Sequence, residues 1–292
     1  MNDISIGCGQ ITWKDVDTAQ ALSDIAQAGY AGAPAGPETG RTTEQTLAMF
    51  DQFGLRPAPG YLGADFWNEA KEGEILARAE KHAQFAERAG CTELYVAAGG
   101  FTTYTTKRGL TRAQVAGHVT ATDEMSPAEY EQFAKVLNKV GEITLSRGVR
   151  SCFHNHVGSV IETRAEVDRL FGMVNRDAVF MGPDTGHLAW AGVDVVSFFR
   201  DYAESILTAH IKDIDGEVLS RGVPAEWDYA TFSDAGIFTE LGKGIVDFPA
   251  LFDILAHAGF SGWLIVETDV TQQESALVSA QMSRDYLRSL GM

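Results

Sequence analysis

Four stretches in the second half of the chain place ionisable side chains at the ends of short apolar runs. The first reads Phe153-His154-Asn155-His156, with Glu162 shortly after it. The second reads Pro183-Asp184-Thr185-Gly186-His187, the third Ala209-His210-Ile211-Lys212-Asp213, and the fourth Val266-Glu267-Thr268-Asp269. Taken one at a time, each has a bland reading. An Asp at a strand end is most often a helix cap, and His210 inside an apolar run could equally be a satisfied core histidine. Glu267 is harder to dismiss. A carboxylate that closes the run Trp263-Leu264-Ile265-Val266 is costly to bury unless it is paired or bound to a metal. Four such ends aimed at one place would set carboxylates against one another, and a divalent cation is the simplest compensator. Mixed Asp, Glu and His donors suit Mn²⁺, Co²⁺, Fe²⁺ or Zn²⁺ better than Ca²⁺ or Mg²⁺. No thiolate stands at these ends, so a structural zinc site is not expected.

The elements that would bring these ends together are legible in the alternation of apolar runs. Strands are expected at Ile4–Trp13, Tyr30–Ala35, Arg56–Leu62, Glu93–Ala98, Val149–His154, Val179–Asp184, Leu207–Lys212 and Trp263–Thr268. Helix-period segments separate them at Asp17–Ala28, Thr42–Phe53, Glu74–Ala89, Pro127–Ser146, Arg164–Val174, Val195–Ala203 and Phe248–Ala258, and Ser275–Leu290 follows the last strand. Gly29, Gly54, Gly90, Gly148 and Gly259 each close a helical pattern just before a strand, where a left-handed C′ residue belongs. Ser126-Pro127 reads as a helix start, and Thr163 with Glu166 as a capping box. Eight such units predict a parallel sheet closed into a (β/α)8 TIM barrel, one domain over residues 1–292. An open doubly wound sheet fits less well, because no GxGxxG follows the first strand. Two long polar stretches, Gly99–Met125 and the aromatic-bearing Asp215–Ile245, follow strands and therefore lie at the C-terminal face as lids or substrate walls.

With 292 residues, 45% of them hydrophobic, the chain can bury a large core. The formal net charge of −17 argues against nucleic acid as a partner. Three scattered cysteines (Cys8, Cys91 and Cys152) imply no disulfide framework and a reducing compartment. No signal peptide or membrane span is legible, so a cytoplasmic location is expected.

The motifs HNHVGSVIET, DTGHLAWAG, HIKD, FTELGKGIVDF and GWLIVETD span residues 154–269. In them the chain resembles the xylose-isomerase-like sugar isomerase/epimerase superfamily of TIM barrels, and in particular its inosose dehydratase branch. The opening GCGQITW and the eight-unit layout extend the likeness along the chain. The resemblance implies a mononuclear metal site with Asp184, His210 and Glu267 as ligands and a fourth ligand from the fifth unit. Relatives place a Glu at that strand end, where this chain has His154. Glu162 is then the expected fourth ligand, with His154 and His156 facing the substrate; His154 as the ligand is the alternative. His187 would bind substrate or move a proton. Lys212, Asn155 and Trp13 are substrate-binding candidates, with a salt bridge as the plain reading of Lys212 and a core aromatic as that of Trp13. Many relatives also carry a Glu at the end of the second strand, where this chain reads Gly32-Ala33-Pro34-Ala35-Gly36.

The implied activity is that of a hydro-lyase. It would dehydrate a keto-cyclitol such as 2-keto-myo-inositol, or a keto-sugar, by β-elimination through an enediolate. Mn²⁺ or Co²⁺ would be the cofactor, with Zn²⁺, Fe²⁺ or Mg²⁺ as substitutes, and His154 or His156 the base. A sugar isomerase or epimerase and a 3-keto-glycoside lyase share the same enediolate and are the enzymic alternatives. A non-catalytic sugar-binding subunit would hold ligand without turnover. The partner is a small polyol, cyclitol or sugar; homo-oligomerisation is left open.

Overall fold

The structure, a computed structural model, describes residues 4–292 except 15 and 39. Eight parallel barrel strands run in chain order around a closed ring. They are Ile4–Cys8, Gly32–Pro34, a third strand in two segments (Arg56–Ala58 and Gly60–Ala64), Glu93–Ala98, Arg150–His154, Val179–Met181, Ala209–Ile211 and Gly262–Val266. The third strand is interrupted at Pro59. Its first segment pairs with the second strand and its second with the fourth, so the sheet turns a corner there. A proline cannot donate to the ladder, which is why the break falls at it. The last strand pairs with the first, Ile4 opposite Gly262 through Cys8 opposite Val266. The sixth and seventh strands meet only through the isolated bridges Met181–Ile206 and Asp184–His210. That second bridge is between two residues of the site.

The helices follow the amphipathic segments closely. Ser126 and Thr163 each close a capping box, with Glu129 and Glu166 respectively. The five C′ glycines all have positive φ, between 66° and 84°. A side chain is strained there, and glycine is not. The main core lies between the outer faces of the strands and the inner faces of the helices, with Leu22, Ile25, Phe133, Leu137, Phe198 and Leu251 among its members. A smaller cluster of Ala58, Tyr95 and Ile265 fills the barrel interior below the mouth. The three cysteines are free and buried. No helix among the described residues is long and apolar enough to cross a membrane.

Two differences from the sequence reading bear on the site. The first strand ends at Cys8, not Trp13, and the chain then turns through residues 9–13. Short helices at Thr185–Trp190, Gly216–Gly222 and Tyr229–Asp234 were not expected. Each is at most seven residues long, about two turns, which leaves too few periods for an apolar stripe to be read.

Candidate active site

His154 is the last residue of the fifth strand, and the chain leaves the sheet directly after it. Asp184 sits where the sixth strand hands over to a helix. Its Oδ1 caps that helix by accepting from the His187 amide at 3.0 Å, which leaves Oδ2 free to face the mouth. Asn155 braces this turn. Its side-chain oxygen accepts from the Asp184 amide at 3.0 Å, and its side-chain nitrogen donates to the Asp184 carbonyl at 3.3 Å. Asn155 is therefore a support for Asp184, which corrects its assignment as a substrate contact. Its amide is fully buried and both ends are occupied.

One ligand atom each from His154, Asp184 and His210 lie within 4.8 Å of one another. Glu267 joins them, with Oε2 3.0 Å from His210 Nδ1. Gly9 makes room for it, since a Cβ there would run into the Glu267 carboxylate. His210 Nε2 is buried without a hydrogen-bond partner, and His210 Nδ1 and Asp184 Oδ2 make no well-directed hydrogen bond although a carboxylate and an ammonium lie beside them. Orphaned donors and acceptors of this kind are expensive to bury. Converging lone pairs of imidazole and carboxylate are what a divalent cation takes up. Charge points the same way. The ammonium of Lys212 lies 3.3 Å from Asp184 Oδ2, 3.5 Å from Glu267 Oε2 and 2.6 Å from Asp269 Oδ1. Three carboxylates against one ammonium leave two negative charges, the amount one divalent cation neutralises. Burial, helped by the nearby charge of Asp269, pushes the Asp184 carboxyl up, although Lys212 and His210 pull it down. Burial likewise opposes ionisation of Glu267, but His210 and Lys212 hold its carboxyl well below the usual range. The residues present thus fit a divalent metal.

Glu162 is not among them. Its two oxygens accept the backbone N–H groups of Gly117 and Gly158, each at 2.7 Å. The nearest cation is Arg112, at 3.9 Å. Burial pushes its carboxyl up to about 7, against the pull of Arg112 and the two amides. Glu162, the expected fourth ligand, thus lies outside the metal-fitting cluster, and the alternative, His154, lies within it. The physical reason is that two short, well-directed amides already satisfy the Glu162 carboxylate.

A second group stands beside the first. His156, His187 and Asp269 also bring ligand-type atoms within 4.8 Å of one another. Lys212 lies against this group too, 3.3 Å from His187 Nε2. The His156 and His187 rings are 3.6 Å apart between centroids. Burial first, then the positive charge of Lys212, holds His156 down to about 4, and burial also depresses His187. Both are neutral imidazoles at neutral pH. Burial works against the charge of Lys212, but Asp184, Asp269 and Glu267 outweigh it and keep the ammonium protonated. Phe101 meets His156 edge-on at 4.9 Å, and Tyr229 stacks beside it at 6.0 Å. These two aromatics come from the long stretches after the fourth and seventh strands, which pack against His156 without lining the cavity beside it.

The cavity enclosed here has a volume of about 310 Å³, within the range of small-molecule sites. Ionisable residues line one side: His154, His156, His210, Lys212, Glu267 and Asp269. Ile11, Pro34, Pro59 and Tyr61 line the other. Trp13 is not part of it. Its indole N–H donates to Asp24 at 2.8 Å and its ring is 7% exposed, so its plain reading as a core aromatic replaces the stacking role. Asp269 and Tyr61 were missed from sequence. Asp269 could have been found by alternation, since it lies two residues beyond Glu267. Tyr61 had no signal beyond its strand. Asp213, in HIKD, is an anchor: its carboxylate accepts from the amides of Ile214, Gly242, Gly244 and Val246, which explains the glycine-rich turn that follows Leu241.

A closed eight-stranded barrel of this kind is shared by a known class of proteins. Residues 22–290 match the profile of the xylose isomerase-like TIM barrel family, and the chain belongs to that family. Among curated proteins it is similar to the inosose dehydratase of Geobacillus kaustophilus (strain HTA426), 27% identical over 99% of this chain and 96% of that one. It is also similar to the rhizopine catabolism protein MocC of Rhizobium meliloti, 29% identical over 97% of this chain and 87% of that one. Among solved structures its fold resembles the IolI protein with a bound zinc atom (TM-score 0.71, 16% identical, 98% of this chain and 97% of that one). It likewise resembles the probable 3-DHS dehydratase AsbF from Bacillus anthracis (TM-score 0.72, 15% identical, 97% and 98%).

Proposed function

We propose that this chain is a divalent-metal-dependent hydro-lyase that removes water from a keto-cyclitol of the 2-keto-myo-inositol kind, or from a closely similar keto-sugar. The reading is carried by one observation. A metal-fitting set (His154, Asp184, His210 and Glu267) adjoins a pair of neutral histidines (His156 and His187), and His154, His156, His210 and Glu267 of these line one cavity of small-molecule size. The full-length similarity to inosose dehydratase supports the choice of substrate class.

A cation held by those four residues, Mn²⁺ or Co²⁺ first and Zn²⁺, Fe²⁺ or Mg²⁺ as substitutes, would supply Lewis acidity toward a ketone oxygen and its neighbouring hydroxyl. The protein supplies the proton transfers. His156, neutral because it is buried, takes the proton from the carbon next to the ketone. The C–O bond at the following carbon breaks, and the departing hydroxyl leaves as water with a proton from the His187–Lys212 pair, whose nitrogens are 3.3 Å apart. Lys212 also offers its ammonium to a substrate oxygen. The aromatic walls of Phe101 and Tyr229 keep solvent from the base.

The direct test is to incubate the protein with 2-keto-myo-inositol and added Mn²⁺ or Co²⁺ and to follow the absorbance of the enone or diketone product. Absence of product with every metal named would sink the reading. Uptake of solvent deuterium without loss of water would replace it with isomerase or epimerase chemistry.

A further inference from the structure

One buried carboxylate near the mouth is not used by the proposed chemistry. Glu162 is 1% exposed, and each of its oxygens accepts one backbone amide. Gly158 belongs to the turn that begins at His156, two residues earlier. Gly117 belongs to the long stretch after the fourth strand, where it packs against the indole edge of Trp190. Trp190 stacks on Tyr229 at 5.0 Å between centroids, and Tyr229 in turn stacks on His156. Phe101, from the same long stretch as Gly117, packs on Gly158 and on His156. The carboxylate therefore joins the two chain segments that box in the His156 ring.

Its own position is over-determined. Arg112, fully buried, makes a two-pronged contact with Glu166 at 2.8 and 3.1 Å and donates to the Asp123 carbonyl at 3.1 Å. Glu166 accepts the amides of Glu162 and Thr163 at 2.8 and 2.9 Å. The long stretch is thus fastened to the start of the helix Arg164–Phe171, and Glu162 reaches from that point to both walls. A carboxyl group whose backbone is held by a buried ion pair, with each oxygen accepting one amide, is a directional tie.

We propose that Glu162 is a positioning residue for His156: it binds no metal and touches no substrate, but it locks the His156 turn to the Gly117 wall so that the imidazole keeps one orientation. The effect on turnover rests on the proposed function, whereas the tie itself does not.

The test compares the full-length protein with Glu162→Gln, which keeps the size but can accept only one of the two amides. Bound metal per chain, measured by elemental analysis after loading with Mn²⁺, stays equal to that of the original protein. Amide hydrogen exchange at Gly117 and Gly158 speeds up while the amides of the fifth and sixth strands do not change. Turnover falls by about 10- to 100-fold with KM within about threefold, because a misplaced base costs rate and not binding. Glu162→Asp, which keeps the carboxyl group but loses reach, is read in the same way if the Gln variant does not fold. Loss of metal from either variant would make Glu162 a ligand and overturn the proposal. So would unchanged exchange at both glycines, or unchanged turnover. If the original protein shows no dehydratase activity, the function falls, while the metal content and the exchange rates still decide whether Glu162 is a tie.

Discussion

Around the mouth of the barrel, the first three strands and their loops present Ile11, Pro34, Pro59 and Tyr61, whereas the ends of strands five, seven and eight present His154, His156, His210, Lys212, Glu267 and Asp269. Ile11 and Tyr61 are 43% and 41% exposed, open to the cavity and to solvent. The ionisable groups opposite are nearly all sealed. The contrast separates two tasks. One half seats a molecule through its apolar face, and the other half does the chemistry. A polar group in the first half would be cheap to change, because water can replace its partners. A polar group in the second half has no such substitute.

The largest test of this division is Asp184→Asn. The variant keeps the helix cap through its remaining oxygen but loses the central charge of the metal-fitting set. Bound metal is expected to be lost and turnover to fall by about a thousandfold, corresponding to several kcal/mol of lost transition-state stabilisation. Elemental analysis beside a turnover assay checks it, and an Asn variant that holds metal and works would remove Asp184 from the chemical half.

His156→Asn should keep its metal and lose turnover on the order of 100-fold, the usual contribution of a positioned base. On the apolar side, Tyr61→Ala should raise KM about tenfold with kcat nearly unchanged, since it removes contact area shared by ground and transition states. If Tyr61→Ala instead lowered kcat as far as His156→Asn does, the two halves would not be functionally distinct.

A pH series separates the halves by stability. His156 and His82 are both held from the usual 6.5 down to about 4, chiefly by burial. An imidazole depressed in the folded state stays neutral while its unfolded counterpart takes up a proton. The stability associated with it is complete above pH 6.5 and drains away as the pH falls toward 4. Denaturant midpoints should therefore drop across that window. His156→Asn should flatten the decline, and Tyr61→Ala should leave its slope alone. The smallest effect is expected at Trp13→Phe. It loses the bond to Asp24, worth about 0.5–1.5 kcal/mol of stability by denaturant titration, and leaves turnover unchanged.

Much of this was legible beforehand. Each of the eight expected strands and eight expected amphipathic helices has a counterpart in the structure, because burial on a sheet face or a helix stripe is a local requirement on the sequence. The ends of strands six, seven and eight supplied Asp184, His210 and Glu267 for the same reason: a carboxylate or imidazole closing an apolar run stands out. The short helices and the early end of the first strand were not legible, and Trp13 was misplaced with them. Asn155 looked like a substrate contact because it sits between two histidines. Its real partner is a backbone 29 residues away.

What the sequence by itself determined is the set of chemical groups and the end of the barrel at which they gather. Residue type, apolar period and turn glycines are properties of neighbours along the chain. Only the tertiary structure decided how those groups divide their work. His154 and Glu162 are eight positions apart, and on paper Glu162 is the expected donor with His154 as the alternative. The choice between them depends on the amides of Gly117 and Gly158 and on Arg112, groups brought to Glu162 by loop packing. A carboxylate goes to whichever donors reach it in the right direction, and that competition is settled in space.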